Sequence, residues 1–207
     1  MPNVNMKEKG LSLLIPSIKK GIYVCMACIL SLSAACDKQS YTPKPVGYYR
    51  IALPQHQYRS FDTLFPYQFE FSTLACIRPA AHPEPYWINI EYPSFNAQVF
   101  ISYKKVINNV DTLINDSKTF VTNQIQKADD IIEYHVYDSL NKVYGISYDI
   151  LGSDVACPYQ FWLTDNEKHF FRASLYFNHS PNNDSVAPVI EYIRKDMLHL
   201  IETFAWK

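Results

Sequence analysis

The chain has 207 residues, five cysteines and a formal charge of −1, with 48% hydrophobic, 15% aromatic and 19% charged residues. That length holds one domain and a leader, the composition excludes a disordered tail, and the absence of a basic excess excludes a nucleic-acid binder. Only five glycines occur, at 10, 21, 47, 145 and 152, so no glycine-rich phosphate loop or dinucleotide fingerprint can form.

Residues 1–35 read as a leader. Lys7, Lys9, Lys19 and Lys20 give a positive start, and Ile22 to Ala35 is an apolar or small run, IYVCMACILSLSAA. That run is shorter than the roughly twenty residues a bilayer span needs and suits a signal-peptide core. Ser33-Ala34-Ala35 then meets Cys36. The expectation is cleavage before Cys36 and acylation of that cysteine, palmitate included, which anchors the protein stably because more than one lipid chain is attached. Polar residues follow at once, so 36–46 reads as lipidated cysteine and tether, and 47–207 as a single globular domain. Taking four bases and one acid from 19 and 20 leaves a mildly acidic mature chain.

Cys25 and Cys28 leave with the leader, so their spacing is no redox or zinc motif. Cys76 and Cys157 remain in a compartment where disulfides persist. They are either bridged, closing a loop worth about 4.5 kcal/mol in the chain-entropy model, or separately buried.

Period-two patterning with β-branched and aromatic residues predicts strands at 47–53, 67–72, 86–92, 97–106, 131–137, 142–150, 159–164 and 168–178. Two stretches are helical instead. Val110, Leu113, Ile114, Val121 and Ile125 form one stripe, with Asn108 or Asn109 as cap. Val186, Val189, Ile190, Ile193, Met197, Leu200, Ile201 and Phe204 form another, capped by Asp184 or Ser185 with Pro188 in the first turn. Half-polar alternation favours antiparallel pairing. The fold class is α+β: an antiparallel sheet of about eight strands with two main helices packed on it.

Little points to catalysis. The histidines at 56, 82, 135, 169, 179 and 199 form none of the zinc-binding spacings, although His199 and Glu202 are close enough on the last helix to meet. There is no nucleophile elbow, and Cys157 with His169 is not a known nucleophile–base spacing. Asp149, Asp154 and Asp165 lack the alternation of a calcium loop and read as solvated carboxylates. The expectation is a non-enzyme with no cofactor and no metal.

The mature chain keeps fifteen tyrosines, twelve phenylalanines and three tryptophans. Neighbours such as Tyr48-Tyr49, Tyr86-Trp87, Phe161-Trp162 and Phe170-Phe171 cannot share one face of a strand. One of each pair faces either a covering helix or a partner, and Tyr49 and Trp162 are the candidates for an interaction surface. Asp62-Thr63-Leu64, Asp111-Thr112-Leu113, Asp138-Ser139-Leu140 and Asp184-Ser185-Val186 are similar to O-glycosylation sites of Bacteroidota and equally suit caps and turns.

The stretches YTPKPVGYYRIALP, FDTLFPYQFEF, WINIEYPSFNAQVFISYK, KVYGISYDI, QFWLTDNEKHFFRASLYFN and NNDSVAPVIEYIRKDMLHLIETFAWK occur in this order. Together they resemble the gliding motility lipoproteins GldD of Bacteroidota, a resemblance carried by these stretches and not by the Ala75–Pro85 insert. The resemblance implies a role in gliding and type IX secretion, with other envelope proteins of that apparatus as partners. It carries over no catalytic residue and only Cys36 as a functional position. A looser likeness is to PsbP-like modules, which are analogous in fold alone. The alternative function is a periplasmic module binding a ligand or glycan. Asp37 signals inner-membrane retention in enteric bacteria, a rule that need not hold in this phylum, so the membrane is open, with the outer favoured. Replacing Cys36→Ala should release the protein from the membrane pellet on fractionation; retention would refute the lipid anchor.

Overall fold

A computed structural model of the protein describes residues 53–80 and 84–207. The leader, Cys36, the tether, Tyr49, His82 and all but the last residue of the expected 47–53 strand lie outside them.

Strands β1 (Tyr58–Phe61), β2 (Tyr67–Ser72), β3 (Cys76–Pro79), β4 (Ile88–Tyr92) and β5 (Ala97–Lys105) come first. Helix α1 (Val110–Thr122) leads to β6 (Asp130–Asp138), β7 (Val143–Leu151), β8 (Tyr159–Thr164) and β9 (His169–Phe177). Helix α2 (Asn183–Glu202) and the short β10 (Ala205–Trp206) close the chain. The architecture is α+β, as its alternation implied.

The large sheet has the order β3-β4-β5-β9-β8-β7-β6, and a small one runs β1-β2-β10. Every pairing is antiparallel. Two meanders, β3–β5 and β6–β9, meet along β5 and β9, paired from Ala97↔Phe177 to Lys105↔His169. Between them α1 carries the chain from mid-sheet to the far edge. Its 13 residues reach about 20 Å, close to the four strand spacings it must cross.

That crossover decides which surfaces are covered. On one face, α2 and the small sheet bury Val99, Ile101, Phe161, Leu163, Phe171 and Leu175 against Phe69, Ile193 and Met197. On the other, α1 buries Tyr148, Ile150, Trp162 and Phe170 with Leu113 and Val121. All six residues of β8 are consequently buried. Burial of each large apolar side chain contributes about 1.5–3 kcal/mol. The β3–β5 half of the second face lies outside the path of α1.

The aromatic doublets follow from this layering. Phe161 and Phe171 face α2, whereas Trp162 and Phe170 stack under α1 with ring centroids 5.8 Å apart. Trp162 is 7% exposed, so its assignment to an interaction surface is corrected: it is core.

The disulfide expectation is corrected too. Both thiols are free, Cys76 on the β3 edge and Cys157 buried where the chain enters β8. Four strand spacings, on the order of 15–20 Å, separate those lines, whereas bridged Cα atoms stand about 4.4–6.8 Å apart.

Smaller differences have local causes. Helix α1 ends at Thr122, leaving Ile125 exposed beyond it. Helix α2 begins at Asn183 after Asn182, so Pro188 sits in its second turn. Asn183, buried at this start, donates through Nδ2 to the carbonyls of Gly152 and Val155 at 2.8 and 2.9 Å. Those bonds fix the helix to the β7–β8 loop.

Gly145 has no room for a side chain on its strand. A Cβ there would fall inside the van der Waals sphere of the Trp162 carbonyl oxygen, a backbone atom with no rotamer to escape by. Gly145→Ala should lower stability by about 3 kcal/mol in urea unfolding; an unchanged midpoint would refute the packing.

Candidate functional site

Beside α1, over the part of the second face that this helix does not cover, runs a groove made of two adjoining cavities of 270 and 300 Å³. They share Trp87, Ser102, Phe120 and Arg172. Strand alternation selects this lining: Ser102 pairs with Arg172 and Phe100 with Ser174 across the β5–β9 seam, so all four point to one side.

Arg172 occupies the floor. One amine, Nη2, donates to Gln160 Oε1 at 3.0 Å, and Ser174 Oγ approaches the same oxygen at 3.5 Å. The guanidinium lies 3.8 Å from the centroid of the Phe120 ring, which α1 hangs over it. Burial lowers the pKa of Arg172 from its ordinary value, with Cys157 and Tyr176 acting the other way. A guanidinium nonetheless stays charged at any physiological pH. Among the described residues it has no carboxylate within ion-pair distance. Gln160 is 3% exposed, and its Nε2 has no acceptor.

Aromatic walls flank this floor. Trp87 is pinned by its indole N–H donating to the Tyr103 carbonyl at 2.7 Å. The preceding Tyr86 is held at φ 67°, costly for an aromatic residue, while its carbonyl accepts from Tyr67 Oη at 2.6 Å. Phe100 and Tyr176 pack edge to face at 5.5 Å at the other end. Lys104 and Asp116 stand at the mouth.

A second polar centre ties the small sheet to α2. Asp196 is buried in the helix; His56 Nδ1 lies 2.6 Å from Oδ1, and Tyr92 Oη donates to Oδ2 at 3.1 Å. The His56 ring stacks on Tyr192 at 4.0 Å, and Tyr58 on His199 at 3.6 Å. His199 meets Glu70 at 2.8 Å, not Glu202 as helical spacing suggested. This network explains how an aspartate and a tyrosine enter the buried stripe of α2.

The remaining candidates are dispersed. His169 shares a hydrogen bond with Tyr103 Oη, and exposed His179 bonds the Ser180 carbonyl. Asp149 pairs with Arg194 at 2.7 Å at the edge of a 620 Å³ acidic cleft beside α2. Asp154 is exposed, and Asp165 accepts the N–H groups of Glu167, Lys168 and His169 to shape the β8–β9 turn. Those bonds hold its carboxyl below the ordinary range against the opposing effect of burial. No three candidate metal ligands converge among the described residues. Thr63 and Ser139 precede the fully or almost fully exposed Leu64 and Leu140, whereas Thr112 and Ser185 lie in the first turns of α1 and α2. The groove is not legible in the sequence because Trp87, Ser102, Phe120 and Arg172 sit on different elements; a charged residue amid the aromatics of β9 is the one available signal.

Burial pushes the Cys157 thiol up to about 12. Unfolded, the thiol loses its proton near pH 9, while the folded form keeps it, so this contribution to stability is complete below pH 9 and lost as the pH rises toward 12. Urea unfolding should therefore show falling stability above pH 9, and a thiol reagent at pH 8 should label Cys76 rapidly and Cys157 only after denaturation. Equal labelling rates would contradict the assigned burial.

A search of curated proteins gives no match. Among solved structures, the solution structure of cyanobacterial PsbP from Synechocystis sp. PCC 6803 is similar at 9% identity, with a TM-score of 0.47, covering 79% of this chain and 100% of that one. The family model described as gliding motility lipoprotein GldD matches residues 38–206. With almost the whole region after Cys36 matched, the chain belongs to the gliding motility lipoprotein GldD family.

Proposed function

We propose that the protein is a lipid-anchored, non-enzymatic component that helps assemble or sustain type IX secretion and, with it, gliding. The observation that carries this reading is the family match, which begins two residues after Cys36 and runs almost to the end of the chain. In this reading residues 1–35 are removed, Cys36 is acylated, 36–46 tether the domain to the membrane, and other envelope proteins of the apparatus are its partners. The domain faces the periplasm, with the outer membrane the favoured anchor site. Among the described residues no helix is long and apolar enough to cross a membrane.

The non-enzymatic reading draws support from how the histidines are engaged. His56, His169 and His199 are each held by a partner on another element. A second reading, a periplasmic module for a small ligand or glycan, is favoured by the groove around Arg172, a concave site with few polar groups between aromatic walls.

The test is the culture-supernatant proteome of a deletion strain complemented with wild type or with Cys36→Ala. Loss of type IX cargo, restored only by wild type, is the expected result. Normal export from the deletion strain would overturn the assignment and move the ligand-binding module to first place.

A further inference from the structure

We infer that the groove beside α1 binds a small molecule carrying a carboxylate on a flat or apolar body. This deepens the ligand-binding reading and names the class of ligand. Four observations carry it. First, the floor offers unspent donors. Arg172 gives Nη2 to Gln160 and has no carboxylate within ion-pair distance among the described residues, and the buried Nε2 of Gln160 has no acceptor. Desolvating a cation without a counter-charge is costly, and so is burying an amide N–H without an acceptor; Arg172 is half-buried and Gln160 buried. An arriving carboxylate relieves the first cost directly. Gln160 lines neither cavity, and its Oε1 holds Arg172 in place.

Second, the charge count points to a monoanion. Arg172 and Lys104 line the groove together with Asp116, which leaves a single positive excess. Asp116 would oppose a dianionic phosphate more than a carboxylate, and a guanidinium fork matches carboxylate oxygens in plane. Third, the walls are aromatic. The Trp87 indole is fixed by its bond to the Tyr103 carbonyl, and Phe120, stacked on Arg172, lines the same two cavities. Fourth, the joined cavities have the volume of a small-ligand site and fall short of a macromolecular interface.

Three sources share this chemistry: a sugar acid, an aromatic acid and the free C-terminus of a short peptide ending in an aromatic residue. Calorimetric titration of the full-length lipoprotein in detergent micelles with glucuronate, benzoate and N-acetylphenylalanine separates them. Glucose, benzamide and N-acetylphenylalaninamide serve as neutral counterparts. At least one acid should bind with a Kd of about 1 mM or tighter, and its neutral counterpart at least about tenfold more weakly. Arg172→Met, which keeps the apolar stem against Phe120, should weaken binding about 10- to 100-fold, with thermal unfolding showing an intact fold. Ser102→Phe, which fills the space shared by both cavities, should abolish binding while Arg172 is unchanged.

Failure of all three acids to bind, equal binding of an acid and its neutral counterpart, or binding that survives both substitutions would each overturn the inference. The export assay reads the anchor and not the groove, so the two failures are distinguishable.

Discussion

The pairing of β5 with β9 is the constraint on which the rest of the molecule depends. It joins two meanders that would each be an incomplete sheet, and it places β9 at the centre of seven strands. A strand so placed can bury both of its faces, which is why β8 and β9 take aromatics at consecutive positions. The seam also forces a crossover, because β5 ends in mid-sheet and β6 begins at the far edge. Helix α1 is that crossover, and its path divides the second face into a roofed half and an open one.

The open half is where chemistry collects. A roofed face needs apolar residues to match its helix, as Trp162 and Phe170 do under α1. The face next to it keeps Asn89, Ser102, Arg172 and Ser174, which would be costly under an apolar roof. Arg172 lies at the boundary, with Phe120 of the helix above it and Gln160 of the neighbouring strand beside it. The groove is thus a product of topology: among the described residues, one helix of limited reach leaves part of a polar sheet face concave.

What was legible in the sequence followed range. Helices α1 and α2 and the strands from β4 to β9 could be read because their periodicity is local, and the alternating Val99, Ile101 and Tyr103 of β5 all point inward. Strands β1, β3 and β10 were not legible. Each has four residues or fewer, and each is defined by its neighbour more than by its own composition. Trp162 could be assigned to a side of its strand but not to core or surface, since that depends on where α1 lies. The same limit applied to Cys76 and Cys157, whose separation is set by strand order, and to Asp196, whose burial depends on His56, 140 positions away. Arg172 stood in plain sight without its partners.

The seam also bears on how the chain reaches this state. Its pairs lie between 64 residues apart, at Lys105↔His169, and 80 apart, at Ala97↔Phe177, whereas each meander is built from neighbours in sequence. Loop-closure entropy makes such contacts late to form, so the meanders take shape first and the seam closes afterwards. Until it closes, β5 and β9 are two bare sheet edges rich in aromatics, a template for pairing between molecules. The interval before closure is the period in which protection of those edges from neighbouring molecules matters most.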